Sequence, residues 1–108
     1  MNWDKQINKA IDYIEANLDG KIDMDRVADI MCQPVVSFQR TFSVIMNISI
    51  SEYIRRRRMT LAAVELRNGS AKVIDIALKY GYESPEAFTR AFKEIYGISP
   101  SAARKESV

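Results

Sequence analysis

The sequence predicts an all-α protein of about seven helices, in which two helix-turn-helix subdomains are joined by a long linker helix. Three observations carry that prediction. Apolar residues recur at three- and four-residue spacing along most of the chain, and no stretch alternates apolar and polar as a half-buried strand would. Asparagine, glycine and proline fall between the periodic stretches, where helices stop and start. A twelve-residue stretch also occurs nearly twice: FQRTFSVIMNIS, from Phe38 to Ser49, returns fifty residues later as FTRAFKEIYGIS, from Phe88 to Ser99.

The two copies agree at Phe38/Phe88, Arg40/Arg90, Phe42/Phe92, Ile45/Ile95, Ile48/Ile98 and Ser49/Ser99. Average residue usage would give about one chance identity in twelve. A solenoid needs three or more units to share a core, and only two fit here. Two related subdomains follow.

Each element has its own signal. Trp3, Ile7, Ala10, Ile11, Ile14 and Leu18 form one stripe of a first helix, with Asp19-Gly20 as its stop. Asp23 can cap a second helix, in which Met24, Val27, Ala28 and Met31 repeat the helical period before Cys32-Gln33-Pro34 interrupts it. A third helix runs from about Val35 to Met46, burying Phe38, Phe42 and Ile45, with Asn47 as a left-handed stop.

Ser49 to Glu52 reads SISE, the spacing of a capping box, with Glu52 able to return to the cap's backbone amide. The fourth helix starts there and runs to Asn68-Gly69, roughly 25 Å at 1.5 Å per residue. Ile50, Ile54, Leu61 and Val64 are its main apolar points. Ser70 or a neighbour caps KVIDIALKY, which ends at Gly81, and Ser84 with Pro85 opens a sixth helix that buries Phe88, Ala91, Phe92 and Ile95. Gly97 stops it, and Ser99-Pro100 starts a short last helix through Arg104.

The domain organisation expected is a first subdomain over 1–48 with its helix-turn-helix at about 24–46, a linker helix over 49–68, and a second subdomain over 69–106 with its helix-turn-helix at about 71–96. At 108 residues the chain has the size of one ordinary domain that folds without disulfides or metals. No apolar run approaches the roughly 18 residues that span a bilayer, and the amphipathic, charged start is not a secretory signal. The expected location is the cytoplasm.

Histidine is absent and Cys32 is the only cysteine, which excludes an internal disulfide, a Cys/His zinc site and histidine-based catalysis. With no phosphate-cradling glycine loop either, neither an enzyme nor a cofactor is expected. Cys32 is expected as a small buried filler, and Tyr53, Tyr80 and Tyr82 as packing. Residues 1 to 50 hold five Lys/Arg against seven Asp/Glu, and 51 to 108 hold eleven against seven, so positive charge concentrates in the second half. Its densest part is the run Arg55 to Arg58, which on a helix spreads guanidinium groups around much of the circumference.

Within each repeated unit an alanine lies four residues before the turn residue: Ala28 before Cys32, and Ala77 before Gly81. A small residue there lets two helices cross closely, and the turn position favours glycine because it needs positive φ. With the phenylalanines inward, the sixth helix presents Pro85, Glu86, Thr89, Arg90 and Lys93 outward. These can enter a major groove: Arg90 on a guanine edge or a phosphate, Thr89 on a base or phosphate, Glu86 on a cytosine amine. The third helix offers Val35, Val36, Gln39, Arg40 and Ser43, of which Gln39 can read adenine and the valines meet only a thymine methyl. A bare helix-turn-helix pattern also occurs as a simple αα-hairpin; two copies with a spacer favour DNA.

EYIRRRRMTLAA followed by VIDIALKYGYESPEAFTRAFKEIYGISPSAARK resembles the C-terminal signature of the AraC/XylS family of bacterial transcription regulators, and the similarity extends more weakly back to about Trp3. The resemblance implies a seven-helix DNA-binding domain that places its third and sixth helices in successive major-groove segments on one DNA face. Such segments lie about 34 Å apart. It implies base-reading positions at Val36, Gln39 and Arg40 in the first unit and at Pro85, Glu86, Thr89 and Arg90 in the second. Phosphate contacts are implied for Arg55 and Arg56 of the linker, for the helix start at Ser84, and for Lys93.

The chain departs from the family pattern at Cys32, in place of the usual turn glycine, at Pro34, in place of the usual capping serine, and at Ala103, in place of a common aromatic. Many family members attach an effector-binding domain. Here that domain is expected beyond Val108, or else the chain resembles the small stand-alone activators. The function expected is sequence-specific binding of double-stranded DNA as an activator that contacts RNA polymerase. The alternative is a protein-interaction helical module that binds DNA only non-specifically.

Overall fold

The computed structural model describes residues 2–106, and among them every regular element is a helix. In chain order these are α1 (Trp3–Ala16), α2 (Met24–Met31), α3 (Val35–Met46), α4 (Ile50–Asn68), α5 (Val73–Lys79), α6 (Pro85–Tyr96) and α7 (Pro100–Glu106). They form two compact units that divide inside α4, between Arg56 and Arg57. None of the helices is long and apolar enough to cross a membrane.

In the first unit, α1 begins where the Asn2 side chain accepts the Lys5 amide and ends a turn earlier than Asp19-Gly20 suggests. The Asn17 side-chain amide donates to the Tyr13 carbonyl at 2.8 Å, and its backbone N–H to Ile14, which closes the helix. Gly20 is not among the glycines with positive φ. Asp23 caps α2 by accepting the Asp25 amide at 2.9 Å, and Gln6 of α1 donates to the Ile30 carbonyl at 2.7 Å. Among the described residues, Ala10, Ile14, Leu18, Val27, Ala28, Met31, Phe38, Phe42 and Ile50 are the buried apolar residues here. Phe42 stands edge-on to Tyr53, whose hydroxyl donates to Glu15 at 3.3 Å.

The second unit gathers Met59, Ala62, Leu66, Ile76, Ala77, Tyr80, Phe88 and Phe92 into one core cluster. Tyr82 packs edge-on against Phe88. Ser84 caps α6 by accepting the Ala87 amide at 3.1 Å, Pro85 supplies the first helical residue, and Gly97 ends the helix at φ 79°. Ser99 does the same for α7 through the Ala102 amide. No side chain caps α5: Lys72 is its N-cap residue, and Ser70 lies outside the helix.

Three expected core positions are exposed. Ile45 and Ile95 are 55% and 40% exposed, because each lies at the last turn of its helix, beyond the phenylalanine pair that anchors it. Val64 is 48% exposed, because α4 serves two cores with different stripes. Ile50 faces the first core, whereas Met59, Ala62 and Leu66 face the second, out of register with it.

Arg104 of α7 ties the second unit together in a way periodicity does not reveal. Its Nε donates to the Leu66 carbonyl at 3.0 Å and its Nη2 to the Ala71 carbonyl at 2.6 Å. One guanidinium thereby satisfies a carbonyl in the last turn of α4 and another in the loop that follows. Beside it, small Ala103 leaves an open groove of about 510 Å³ walled by Ala63, Val64, Phe92, Tyr96 and Ile98.

Candidate nucleic-acid interface

Both repeated units open their turn in the same way. In the first, Cys32 sits in the left-handed region at φ 56°, and the Gln33 amide reaches back to the Ala28 carbonyl at 3.2 Å. In the second, Gly81 sits at φ 87°, and the Tyr82 amide reaches back to the Ala77 carbonyl at 2.9 Å. Cysteine thus takes the turn conformation expected of glycine. It is exposed, not the buried filler the sequence suggests, because the left-handed conformation at the helix end turns the side chain out of the core.

The second helices of the two turns expose corresponding faces. On α3, Phe38 and Phe42 are fully buried, and Val36, Arg40 and Ser43 are exposed with Gln39 half-buried. On α6, Phe88 and Phe92 face the core, Glu86, Arg90 and Lys93 are exposed, and Pro85 and Thr89 are half-buried. Among the described residues, no hydrogen bond or ion pair engages the side chains of Gln39, Arg40, Ser43, Glu86, Thr89, Arg90 or Lys93. Each face therefore carries polar groups that have nothing to hydrogen-bond except water or a ligand.

The helix starts differ. Ser84 uses one oxygen lone pair to accept the Ala87 amide and keeps its own O–H to donate. Pro34 is the N-cap of α3 and provides no side-chain cap. The turns also differ in length, with Gln33 and Pro34 between Cys32 and α3, but Tyr82, Glu83 and Ser84 between Gly81 and α6.

On α4 the capping box is half formed. Ser49 Oγ accepts the Glu52 amide at 3.1 Å, but the Glu52 carboxylate, instead of returning to the cap, takes the guanidinium groups of Arg55 and Arg56. Those hydrogen bonds hold its carboxyl down at about 2, well below the ordinary 4.5. Arg55 and Arg56 are exposed, while Arg57 and Arg58 are half-buried. Arg58 lies beside the Gly81 turn. The arginine run is thus split between a surface pair and a pair laid against the protein.

The sequence profile of a family described as a helix-turn-helix domain matches residues 27–106. Over 98 residues the chain is 41% identical to the transcriptional activator AarP of Providencia stuartii, covering 91% of this chain and 73% of that protein. Over 104 residues it is 35% identical to the regulatory protein SoxS of Salmonella typhimurium, covering 96% of this chain and 97% of that one. The chain belongs to the AraC-type helix-turn-helix family.

AraC-type folds share its architecture as well. A regulator with an AraC-type DNA-binding domain from Chromobacterium violaceum superposes with a TM-score of 0.86 at 21% identity, over 97% of this chain and 94% of that one. The DNA-binding domain of AdpA, solved with a target DNA, gives 0.81 at 21% identity, over 94% of this chain and 91% of that one. At such identity the likeness speaks for the fold. Taken with the family membership, this chain is the DNA-binding domain of an AraC-family transcription regulator.

Proposed function

We propose that this AraC-type domain reads double-stranded DNA with α3 and α6, each laid in a major-groove segment, and acts as a transcription activator. The observation that carries the reading is the pair of outward faces on α3 and α6, whose polar side chains have no protein partner although each helix is anchored by two buried phenylalanines. Arg90 supplies a bidentate donor for guanine, Thr89 and Glu86 flank it, and Gln39 and Arg40 serve the first unit with Val36 against a thymine methyl. Pro85 sets the start of α6. Arg55, Arg56, Lys93 and the start of α6 at Ser84 meet phosphates and fix the register.

The activator role is supported by the similarity to AarP. An activator working in the cytoplasm contacts RNA polymerase, and a surface of suitable chemistry is present: Val44, Ile45 and Met46, at the end of α3, are 78%, 55% and 46% exposed.

Selection of bound sequences from a random duplex pool tests the reading. Two short enriched blocks about one helical turn apart, with a steep salt dependence, are expected. Alanine at Arg90 then costs about 1 to 3 kcal/mol at the selected site and relaxes one position, whereas alanine at both Gln39 and Arg40 relaxes the other block. An unenriched pool would overturn the proposal in favour of a protein-interaction module.

A further inference from the structure

Two of the cations that this interface offers to the sugar-phosphate backbone are already held by a carboxylate of the same chain. Glu52 lies one turn before them on α4. Its Oε2 accepts from Arg55 Nε at 2.8 Å, and its Oε1 accepts from both Arg55 Nη2 at 2.8 Å and Arg56 Nε at 3.0 Å. The bond to Arg55 is therefore the two-pronged kind, and it occupies the guanidinium edge with which arginine also grips a phosphate. The side chains of Arg55 and Arg56 are 43% and 64% exposed and that of Glu52 is 30% exposed, so the cluster lies at the surface, where a duplex can reach it.

We propose that Glu52 is an internal stand-in for a DNA phosphate, and that it limits the chain's sequence-independent affinity for duplex. The proposal rests on the reading of Arg55 and Arg56 as phosphate contacts. For either guanidinium to present its Nε edge to DNA, Glu52 must let go, and the freed carboxylate then attracts a cation from solution. That uptake offsets part of the cation release that drives protein–DNA association. The local charge of the three side chains is +1 with Glu52 in place and +2 without it. Because its carboxyl is held near 2, Glu52 stays charged throughout the neutral range, and the restraint is permanent instead of pH-gated.

A merely structural role makes a different prediction. An acidic residue three and four positions before arginines supports its own helix by a few tenths of a kcal/mol and has no effect on a ligand. The two roles separate in a DNA-binding titration against salt.

The experiment compares the unaltered chain with E52Q on a scrambled duplex, with helix content checked by circular dichroism. Ser49 caps the backbone amide of residue 52, so glutamine leaves that cap intact. The expected result is binding about three- to tenfold tighter near 0.1 M salt and a salt slope steeper by up to about 0.9. Unchanged or weaker binding with an unchanged slope would overturn the proposal. The double variant R55A/R56A locates the failure. If it weakens binding and flattens the slope while E52Q does nothing, the phosphate contacts stand and the restraint falls; if it too changes nothing, the phosphate reading falls and the restraint with it.

Discussion

Cys32 and Gly81 hold the same left-handed position, each beside the amide that returns to an alanine five residues back, but Cys32 does so at φ 56° and Gly81 at φ 87°. The first value lies where side-chain-bearing residues occasionally settle at a cost; the second lies beyond it, toward conformations reserved for glycine. Replacing Cys32 with glycine therefore removes strain and raises stability by about 0.5 to 1 kcal/mol. Replacing Gly81 with alanine lowers stability by about 1 to 2 kcal/mol. A Cβ at Gly81 would meet Arg58 Nη1 at 3.6 Å, ordinary contact, so the loss comes from the backbone. Urea midpoints of the two variants check both signs.

Arg104→Ala strips the partner from the Leu66 carbonyl near the end of α4 and from the Ala71 carbonyl. Hydrogen bonds from a charged donor, one to a partly buried carbonyl and one to an exposed carbonyl, put the loss at about 1.5 to 3 kcal/mol, and Arg104→Lys recovers little because an ammonium lacks the fork. Thermal unfolding of the three proteins is the measurement.

Ala103→Tyr places an aromatic ring in the groove walled by Phe92, Tyr96 and Val64. Covering that apolar surface raises stability by about 0.5 to 2 kcal/mol. A fall in melting temperature would mean that the groove closes on itself in solution.

The Glu52 cluster sets an acid limb. Its folded-state carboxyl is held at about 2 against an ordinary 4.5, so the stabilisation is fully present above 4.5 and is lost as pH falls through about 2. The stability difference between the unaltered protein and E52Q accordingly shrinks across that window. Urea titrations at neutral pH and near pH 2 read it directly.

Much of the fold was legible because its signals are local. The stop at Asn47, the Ser84-Pro85 start, and the phenylalanine pairs at four-residue spacing depend on neighbours in sequence, and the structure has each of them in place. What escaped depends on partners far along the chain. The role of Arg104 is decided 38 residues away at Leu66. Met59, hidden behind four arginines, enters the second core because α4 changes its buried stripe partway, and a single period run along the whole helix selects Val64 in its place.

The candidate site was legible in composition but not in state. Outward positions on α3 and α6 follow from where the phenylalanines point, whereas the seizure of two arginines by Glu52 competes with a capping-box reading of the same residue. Three donors in reach outweigh one backbone amide.

The division of the chain within α4 has a consequence for heredity. A duplication or transplant that copied the second unit from loop to loop, starting at Gly69, would leave behind Met59, Ala62 and Leu66, three of the eight buried residues of its core cluster. The heritable module is larger than the visible repeat. Any recombination that moves it intact must break the gene in the middle of a helix.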